Sequence, residues 1–434
     1  MRVDFDPAAS GDAAAFETAC ESVLLDLGAA DLAAPTDIAR LATGIYRYAR
    51  EGRRIAIPQV APALAAACAD IGLAVETIGG GEPAIAAEAN VVFGSAAIDG
   101  AERVVYSPFA GSKLRVAVAG LGLIGEGVAR RLADDDAYDL CAALVREPFK
   151  ERAGIAVDQV TNDIAAFLAT KPDVVVDALP DGKAGRRLIE AALDRGVSVV
   201  SANKQAVAGA LAELTGLADE SGVVLRYAAS VGGGAPFVET TTWAAREADV
   251  VSLEAVLNGT VNYILTALAK GDAFEDAVAA AQRAGFAEPD PTADLSGGDA
   301  KAKLAILSFV AFGEEIDLDA IEIEPLTADR AARFAAEGGA WKQISRLERN
   351  GAGDLRAFVR FERRDGDALF AKALWEANAL RIHLADGRLV ECRGKGAGRA
   401  PTVESLIGDL EDIRRMKNRR PKTERTLAED RVTA

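Results

Sequence analysis

The run Gly120-Leu121-Gly122-Leu123-Ile124-Gly125 constrains this chain more than any other feature. It directly follows an apolar run, Arg115–Ala119, and directly precedes a helical pattern that continues through Leu132. A second apolar run, Leu140–Val145, follows at the distance expected of a βαβ unit. Each glycine has a physical reason. Gly120 permits the tight turn out of the strand, Gly122 lets backbone approach a pyrophosphate, and Gly125 lets helix and strand pack closely. The helix start at Leu123 and Ile124 then offers N–H donors and the positive end of its dipole to phosphates. This reads as a dinucleotide-binding loop on a fold that begins near Leu114.

The end of the second strand distinguishes the two nicotinamide cofactors. A carboxylate there binds ribose hydroxyls, whereas a cation accepts a 2′-phosphate. Arg146 comes first, with Lys150 and Arg152 nearby, which points to NADP. Glu147 leaves NAD as the alternative. Further short apolar runs, Val174–Ala178, Val197–Ser201 and Val223–Tyr227, read as parallel strands covered on both faces by helices.

The chain has 434 residues, and at roughly 100–200 residues per domain it should hold several units. Residues 1–112 read as a small α/β unit, with helices over Thr36–Glu51 and Ala61–Ile71. Its strands are expected at Arg54–Ile57, Leu73–Ile78, Asn90–Phe93 and Arg103–Tyr106. Residues 113–228 form the dinucleotide unit, a Rossmann-type doubly wound parallel sheet. Residues 229–393 mix a helix at Gly298–Phe312 with strands at Leu355–Glu362 and Ala379–Leu384, an α+β pattern. Residues 394–434 hold a glycine-rich turn, a helix and a basic tail.

The net charge of −17 disfavours nucleic acid and anionic lipid as partners. The basic stretch Arg414, Arg415, Lys417, Arg419, Arg420, Lys422 reads as a solvated helix end. Cys20, Cys68, Cys141 and Cys392 are scattered, so neither structural zinc nor a disulfide framework is expected. The acidic N-terminus does not read as a signal peptide, and no uncharged apolar stretch is long enough for a membrane span. A cytoplasmic location is therefore expected. The single histidine, His383, precedes an Asp-Gly turn and has no evident metal or triad partner. Acid–base chemistry must then come from Lys, Asp, Glu or Tyr.

Three further segments carry such groups. Ser201-Ala202-Asn203-Lys204 ends a strand, where open α/β sheets bind ligands. Asn258-Gly259-Thr260-Val261-Asn262-Tyr263 reads as a turn with Asn258 capping a helix. Glu288–Lys303 concentrates carboxylates in a Pro/Gly-rich loop before the apolar helix, with Asp299 and Lys303 four apart on one helix face. An ion pair on that face is the plain reading of the last pair.

The glycine loop, SANK at Ser201–Lys204, ASVGGGAP at Ala229–Pro236, NGTVNYIL at Asn258–Leu265, EPDPTADLSGGDAKAK at Glu288–Lys303 and GKGAGRAPT at Gly394–Thr402 stand in one order. In that order the chain resembles homoserine dehydrogenases over about residues 113–410. The resemblance implies reduction of L-aspartate 4-semialdehyde to L-homoserine, on the route to threonine and methionine. It implies Lys303 as the acid/base, and Lys204 polarising the substrate oxygen near the nicotinamide. It implies Glu288 for the substrate ammonium, Asp294 for substrate binding and ordering of the lysines, and Asp299 in support. Cofactor contacts would come from Gly120, Gly122, Leu123, Ile124, Gly125, Arg146, Ser201 and Lys204. A homodimer paired through the sheet of the substrate unit is also implied.

The chain departs from that family in places. Ala228 stands where the family has a glutamate ligand of a monovalent cation, leaving only backbone carbonyls at Val231, Gly233 and Ala235. A weak or absent ion is expected. The run Ala178-Leu179-Pro180-Asp181-Gly182 lacks the family's paired glycines, which leaves open another amino-acid aldehyde as substrate. A third reading is a dinucleotide-binding regulatory protein without activity. The segment Val23–Ile57 resembles the start of an amino-acid kinase, but Leu25, Gly28 and Ala29 replace its lysine and glycine pair. The resemblance would make it a non-catalytic remnant, and an unrelated α/β addition is the alternative.

Overall fold

The computed structural model describes residues 113–419, except 151, 153, 154, 156, 288, 351, 352 and 397. Within the preceding residues it describes six strands, the Pro62–Asp70 helix and parts of the chain beside them. Among the described residues, three six-stranded sheets organise the fold.

The central sheet is wholly parallel, in the order Leu225–Arg226, Ser198–Ser201, Val174–Asp177, Leu114–Ala119, Tyr138–Leu144, Gln159–Thr161. The chain moves outward from Leu114–Ala119 on one side, then returns to fill the other. The reversal lies between Leu114–Ala119 and Val174–Asp177, and ligands of such sheets bind outside the carboxyl ends at that point. Strand periodicity explains the two covered faces. Val175, Val199, Ala117 and Ala119 enter one core with Leu188 and Ile189 of the Gly182–Leu193 helix. Val116, Val118, Val174, Val176 and Val200 enter another. That second core is closed by Val128 and Leu132 of the Leu123–Ala133 helix and by Leu406, Ile407 and Leu410 of the Arg399–Arg419 helix. The Arg399–Arg419 helix thus returns to the first strands of the sheet.

The C-terminal sheet is mixed, in the order Glu322–Ile323, Leu355–Arg363, Trp341–Arg349, Val250–Val256, Ala377–Leu384, Leu389–Lys395. Leu253, Ala255, Leu347, Val359, Leu380 and Ile382 pack in one core with Leu304, Ile306 and Leu307 of the Gly298–Phe312 helix. Alternate side chains point the other way and pair by charge. Glu254 meets Arg346, Arg364 at 2.8 Å and Arg381 at 3.7 Å. This charge pairing hid Val250–Val256 and Trp341–Arg349 from an apolar reading of the sequence.

The N-terminal sheet is also wholly parallel, in the order Arg2–Phe5, Glu102–Tyr106, Ser22–Asp26, Arg54–Ile57, Val91–Phe93, Val75–Thr77. Arg2–Phe5 and Ser22–Asp26 were not expected as strands. Leu41, Ile45, Ile55, Ile57, Leu64 and Cys68 form a core of their own. Burial, and then the nearby Glu404 carboxylate, push the Cys68 thiol up to about 12. Tyr46, also buried, donates its hydroxyl to the Gly234 carbonyl at 3.1 Å. Cys20, Thr36, Gly28 and Ala29 lie outside the described residues.

The basic stretch near the C-terminus needs a correction. Arg414 is not solvated: it is buried, and its guanidinium donates to Glu411 at 2.6 and 2.8 Å. Glu411 also accepts from the Tyr138 hydroxyl at 3.0 Å, and Lys417 pairs with Asp173. Arg420 and Lys422 lie outside the described residues. Among the described residues no helix is long and apolar enough to cross a membrane.

Gly234 marks the junction of the N-terminal unit with the remainder. A Cβ there would lie 2.4 Å from the Pro401 Cβ and 2.7 Å from the Ile71 carbonyl oxygen. Gly234→Ala should therefore destabilise the protein by about 1–3 kcal/mol, as overpacking does. A thermal unfolding midpoint equal to that of the parent would contradict the contact.

Candidate functional site

The glycine loop sits at the reversal point of the central sheet. Gly120 has φ +87°, and a Cβ on it would lie 2.6 Å from the Ala178 carbonyl oxygen. A Cβ on Gly125 would lie 1.7 Å from the Gly120 carbonyl oxygen, so only glycine allows this helix to start against this turn. A Cβ on Gly122 would meet nothing within 4 Å. Gly122 is also the N-cap of the Leu123–Ala133 helix and offers no side-chain acceptor to its first N–H groups. Those donors and that open backbone fit a pyrophosphate. Leu123 is exposed and Ile124 half-buried beside it. Arg146, Glu147 and Lys150 are exposed at the end of the second strand. Arg152 folds back, donating to the carbonyls of Lys150 at 2.8 Å and Glu147 at 3.1 Å, and so stiffens the turn that carries Arg146.

A buried polar knot supports the Ser201–Lys204 segment. Ser201 donates its hydroxyl to Asp177 Oδ2 at 3.0 Å and accepts from the Asn203 backbone N–H at 3.1 Å. The Asn203 side chain donates to the Asp181 carbonyl at 3.1 Å and accepts from Ala206 N–H at 3.3 Å, capping the Lys204–Val207 helix. Asp181 in turn caps the Gly182–Leu193 helix. The residues that replace the family's paired glycines therefore build a helix start. Burial raises the Asp177 carboxyl to about 6, although the N–H of Leu179 and the side chains of Ser201 and Asn203 pull against it. Ser201 is fully buried and its hydroxyl is committed to Asp177.

Lys204 and Lys303 meet on one carboxylate. Lys204 Nζ lies 3.0 Å from Asp299 Oδ1, and Lys303 Nζ lies 2.8 Å from Asp299 Oδ2. Lys303 also donates to the Leu257 carbonyl at 2.9 Å. The Gly298–Phe312 helix carries Asp299 and Lys303 one turn apart, as their spacing predicts. It starts at Gly297, whose φ of +83° and contact with Ile323 leave no room for a side chain. Burial alone would raise the Asp299 carboxyl, but the two ammonium groups outweigh it and hold it down to about 2. Asp294 stands next to this bracket in the Thr292–Leu295 turn, accepting from Asn258 Nδ2 at 3.2 Å. Burial, and then the charge of Asp299, raise its carboxyl. Asn258 accepts from Val261 N–H at 2.9 Å and caps the Gly259–Ala269 helix. Glu288 lies outside the described residues.

The structure thus brings Lys204, Lys303, Asp299 and Asp294 together. Asp177, Asn258 and the Leu257 carbonyl were not singled out as site groups in the sequence. Asp177 left a trace there as a carboxylate ending an otherwise apolar strand, and Asn258 as the cap of a helix. His383 lies 3.9 Å from Glu254 on the C-terminal sheet.

The residues do not compose a carboxylate-bearing cation site. Ala228 presents a buried methyl. The Ala235 carbonyl accepts from Phe237 N–H at 2.8 Å, the Gly232 carbonyl from Ala235 N–H at 2.8 Å, and the Gly234 carbonyl from Tyr46. Val231 is buried and Gly233 takes φ +59°, each contributing only backbone oxygen. Among the described residues no three His, Cys, Asp or Glu side chains are grouped so as to hold a metal ion.

Comparison with known proteins gives a consistent picture. The family model described as homoserine dehydrogenase matches residues 236–410, and its NAD-binding domain model matches residues 120–228. A homoserine dehydrogenase of Mycobacterium leprae is 35% identical over 316 residues, 68% of this chain and 71% of that protein. An NAD(+)-dependent homoserine dehydrogenase of Pseudomonas canavaninivorans is 32% identical over 57% of this chain and 70% of its own. A solved homoserine dehydrogenase from Thiobacillus denitrificans superposes with a TM-score of 0.63 at 28% identity, over 72% of this chain and 75% of that one.

Two outcomes follow from the geometry. Gly125→Ala should weaken binding of a reduced nicotinamide dinucleotide by at least about tenfold, since the turn and the helix start cannot both be kept. Fluorescence titration checks this; unchanged affinity would contradict it. The raised Asp177 carboxyl makes the folded state bind a proton more tightly than the unfolded chain. Its penalty is fully present above about 6 and relieved as pH falls toward 3.8, the ordinary value of an aspartate. Asp177→Asn should remove that gain in unfolding free energy on going from neutral to mildly acidic pH. Parallel pH profiles for the two proteins would contradict it.

Proposed function

The chain belongs to the homoserine dehydrogenase family, and from that premise we propose that it interconverts L-aspartate 4-semialdehyde and L-homoserine with NADP. The observation that carries this reading is the Lys204–Asp299–Lys303 bracket, placed where the strand Ser198–Ser201 ends and the substrate-side helix begins.

The bound nicotinamide supplies the hydride in reduction and takes it up in oxidation. The developing alkoxide needs a proton and positive charge at its oxygen. Lys303 provides the proton, and Lys204 stabilises the charge before transfer. Asp299 neutralises one of the two positive charges, which lets both ammonium groups occupy one small site. Asp294 and Glu288 bind the ammonium end of the substrate. In oxidation the neutral Lys303 receives the hydroxyl proton.

Arg146 and Lys150 favour the 2′-phosphate of NADP, on a turn stiffened by Arg152. The charged face of the C-terminal sheet, with Glu254, Arg346, Arg364 and Arg381, supports pairing of two copies into a homodimer. The altered Asp181–Gly182 turn favours a second reading, a different amino-acid aldehyde at the same bracket. We place the reaction in the cytoplasm, on the route to threonine and methionine.

Purified protein with L-homoserine should reduce NADP faster than NAD at alkaline pH, read as reduced-nicotinamide absorbance. No turnover with either cofactor would overturn the proposal, and faster turnover of another amino alcohol would establish the second reading. Arg146→Glu should shift the NADP-to-NAD ratio of kcat/KM toward NAD by about tenfold or more, the loss of one charge-assisted hydrogen bond of ~1.5–3 kcal/mol. An unchanged ratio would contradict the role of Arg146.

A further inference from the structure

The Asn258–Leu265 and Gly394–Thr402 motifs meet at a side chain that no part of the reading above uses. Asn378 lies on the Ala377–Leu384 strand, fully buried, opposite Gly394 of the neighbouring strand. Its Nδ2 donates to the Leu257 carbonyl at 3.2 Å. That carbonyl is also the acceptor for Lys303 Nζ at 2.9 Å. The Asn378 Oδ1 is buried without a hydrogen-bond partner. A buried amide oxygen left unpaired costs about 1–3 kcal/mol, so the favourable polar contact of this side chain is the one its nitrogen makes.

The surroundings hold the amide in that one orientation. A Cβ on Gly396 would lie 2.1 Å from both Cγ and Oδ1 of Asn378, so glycine alone fits against it. Gly396 N–H donates to the Glu376 carbonyl at 3.1 Å, which fixes Gly396 beside the strand start. A Cβ on Gly259 would lie 3.1 Å from the same carbonyl oxygen. The turn of the Asn258 motif, the strand start and the glycine-rich motif are therefore packed around one buried amide.

We propose that Asn378, held by Gly396, is a positioning residue for Lys303, acting through the Leu257 carbonyl that both of them donate to. An ammonium has three N–H donors. Asp299 Oδ2 and the Leu257 carbonyl take two of those on Lys303, which fixes rotation about the terminal bond. The third then has one direction and is the one presented to the substrate oxygen. Asn378 does this in a second way. A carbonyl that already accepts an amide N–H accepts less strongly from the ammonium. Without Asn378 the Leu257 oxygen would bind protonated Lys303 more tightly, so less of the neutral amine that accepts the proton would be present at a given pH. The other charged groups facing Lys303 are Asp299 on its own helix, Asp294 on the preceding turn, and Lys204 across Asp299.

This rests on the assignment of Lys303 as the acid/base. The test is the pH profile of kcat for L-homoserine oxidation in the full-length protein, for Asn378→Ala, the isosteric Asn378→Asp and Gly396→Ala. Each should lower kcat by about tenfold and move the rising limb to higher pH by about half a unit, because a stabilised ammonium loses its proton later. The dissociation constant for NADPH, read by fluorescence, should stay within about twofold of the parent, since the glycine loop is untouched. Asn378→Asp keeps the shape of the side chain, and its melting curve shows that the variant is folded. A folded Asn378→Asp or Gly396→Ala protein whose rising limb coincides with that of the parent would overturn the proposal, whatever its kcat. Failure of the parent itself to oxidise homoserine would instead sink the reading it rests on.

Discussion

One carboxylate holds the candidate active site together. Asp299 gives one oxygen to Lys204 and the other to Lys303. Two ammonium groups this near one another, Lys303 buried and Lys204 half-buried, would otherwise repel and shed protons. The three side chains come from two parts of the chain, a strand end of the central sheet and a helix packed on the C-terminal sheet. The bracket therefore exists only when those sheets are correctly placed. Every supporting feature serves that placement: the Asp177 knot under Lys204, the Gly297 turn that starts the Lys303 helix, and the Leu257 carbonyl behind Lys303.

Much of this was legible in the sequence because it depends on local rules. The glycine loop follows from steric demands at Gly120 and Gly125, and the structure places both against carbonyl oxygens that exclude a side chain. The Gly298–Phe312 helix and its Asp299–Lys303 pair follow from apolar and charge spacing. The buried strands Val174–Asp177 and Ser198–Ser201 announce themselves as continuous apolar runs. What the sequence hid is of two kinds. Strands such as Trp341–Arg349 are half charged, because their second face forms ion pairs rather than a core. Long-range polar contacts, such as Asn378 with Leu257, leave no spacing rule at all.

The proposed reaction runs its acid–base chemistry without histidine at the centre. His383 is the single histidine, and it sits by Glu254, away from the bracket. Lysine is a point charge whose acidity depends strongly on its surroundings. Under the proposed assignment of Lys303 as acid/base, its surroundings are Asp299, Asp294 and the Leu257 carbonyl.

The contact between Tyr46 and Gly234 spans 188 residues. A ribosome adding roughly 5–20 residues per second needs on the order of ten seconds or more to make that span. The Arg399–Arg419 helix, which supplies Pro401 to the same junction and covers Val116 and Val118, emerges later still. During synthesis the first strands of the central sheet must wait with this face covered only in part, by the Leu123–Ala133 helix. Docking of the Arg399–Arg419 helix is therefore a late step of assembly, and a nascent chain stalled before it keeps apolar surface exposed to aggregation.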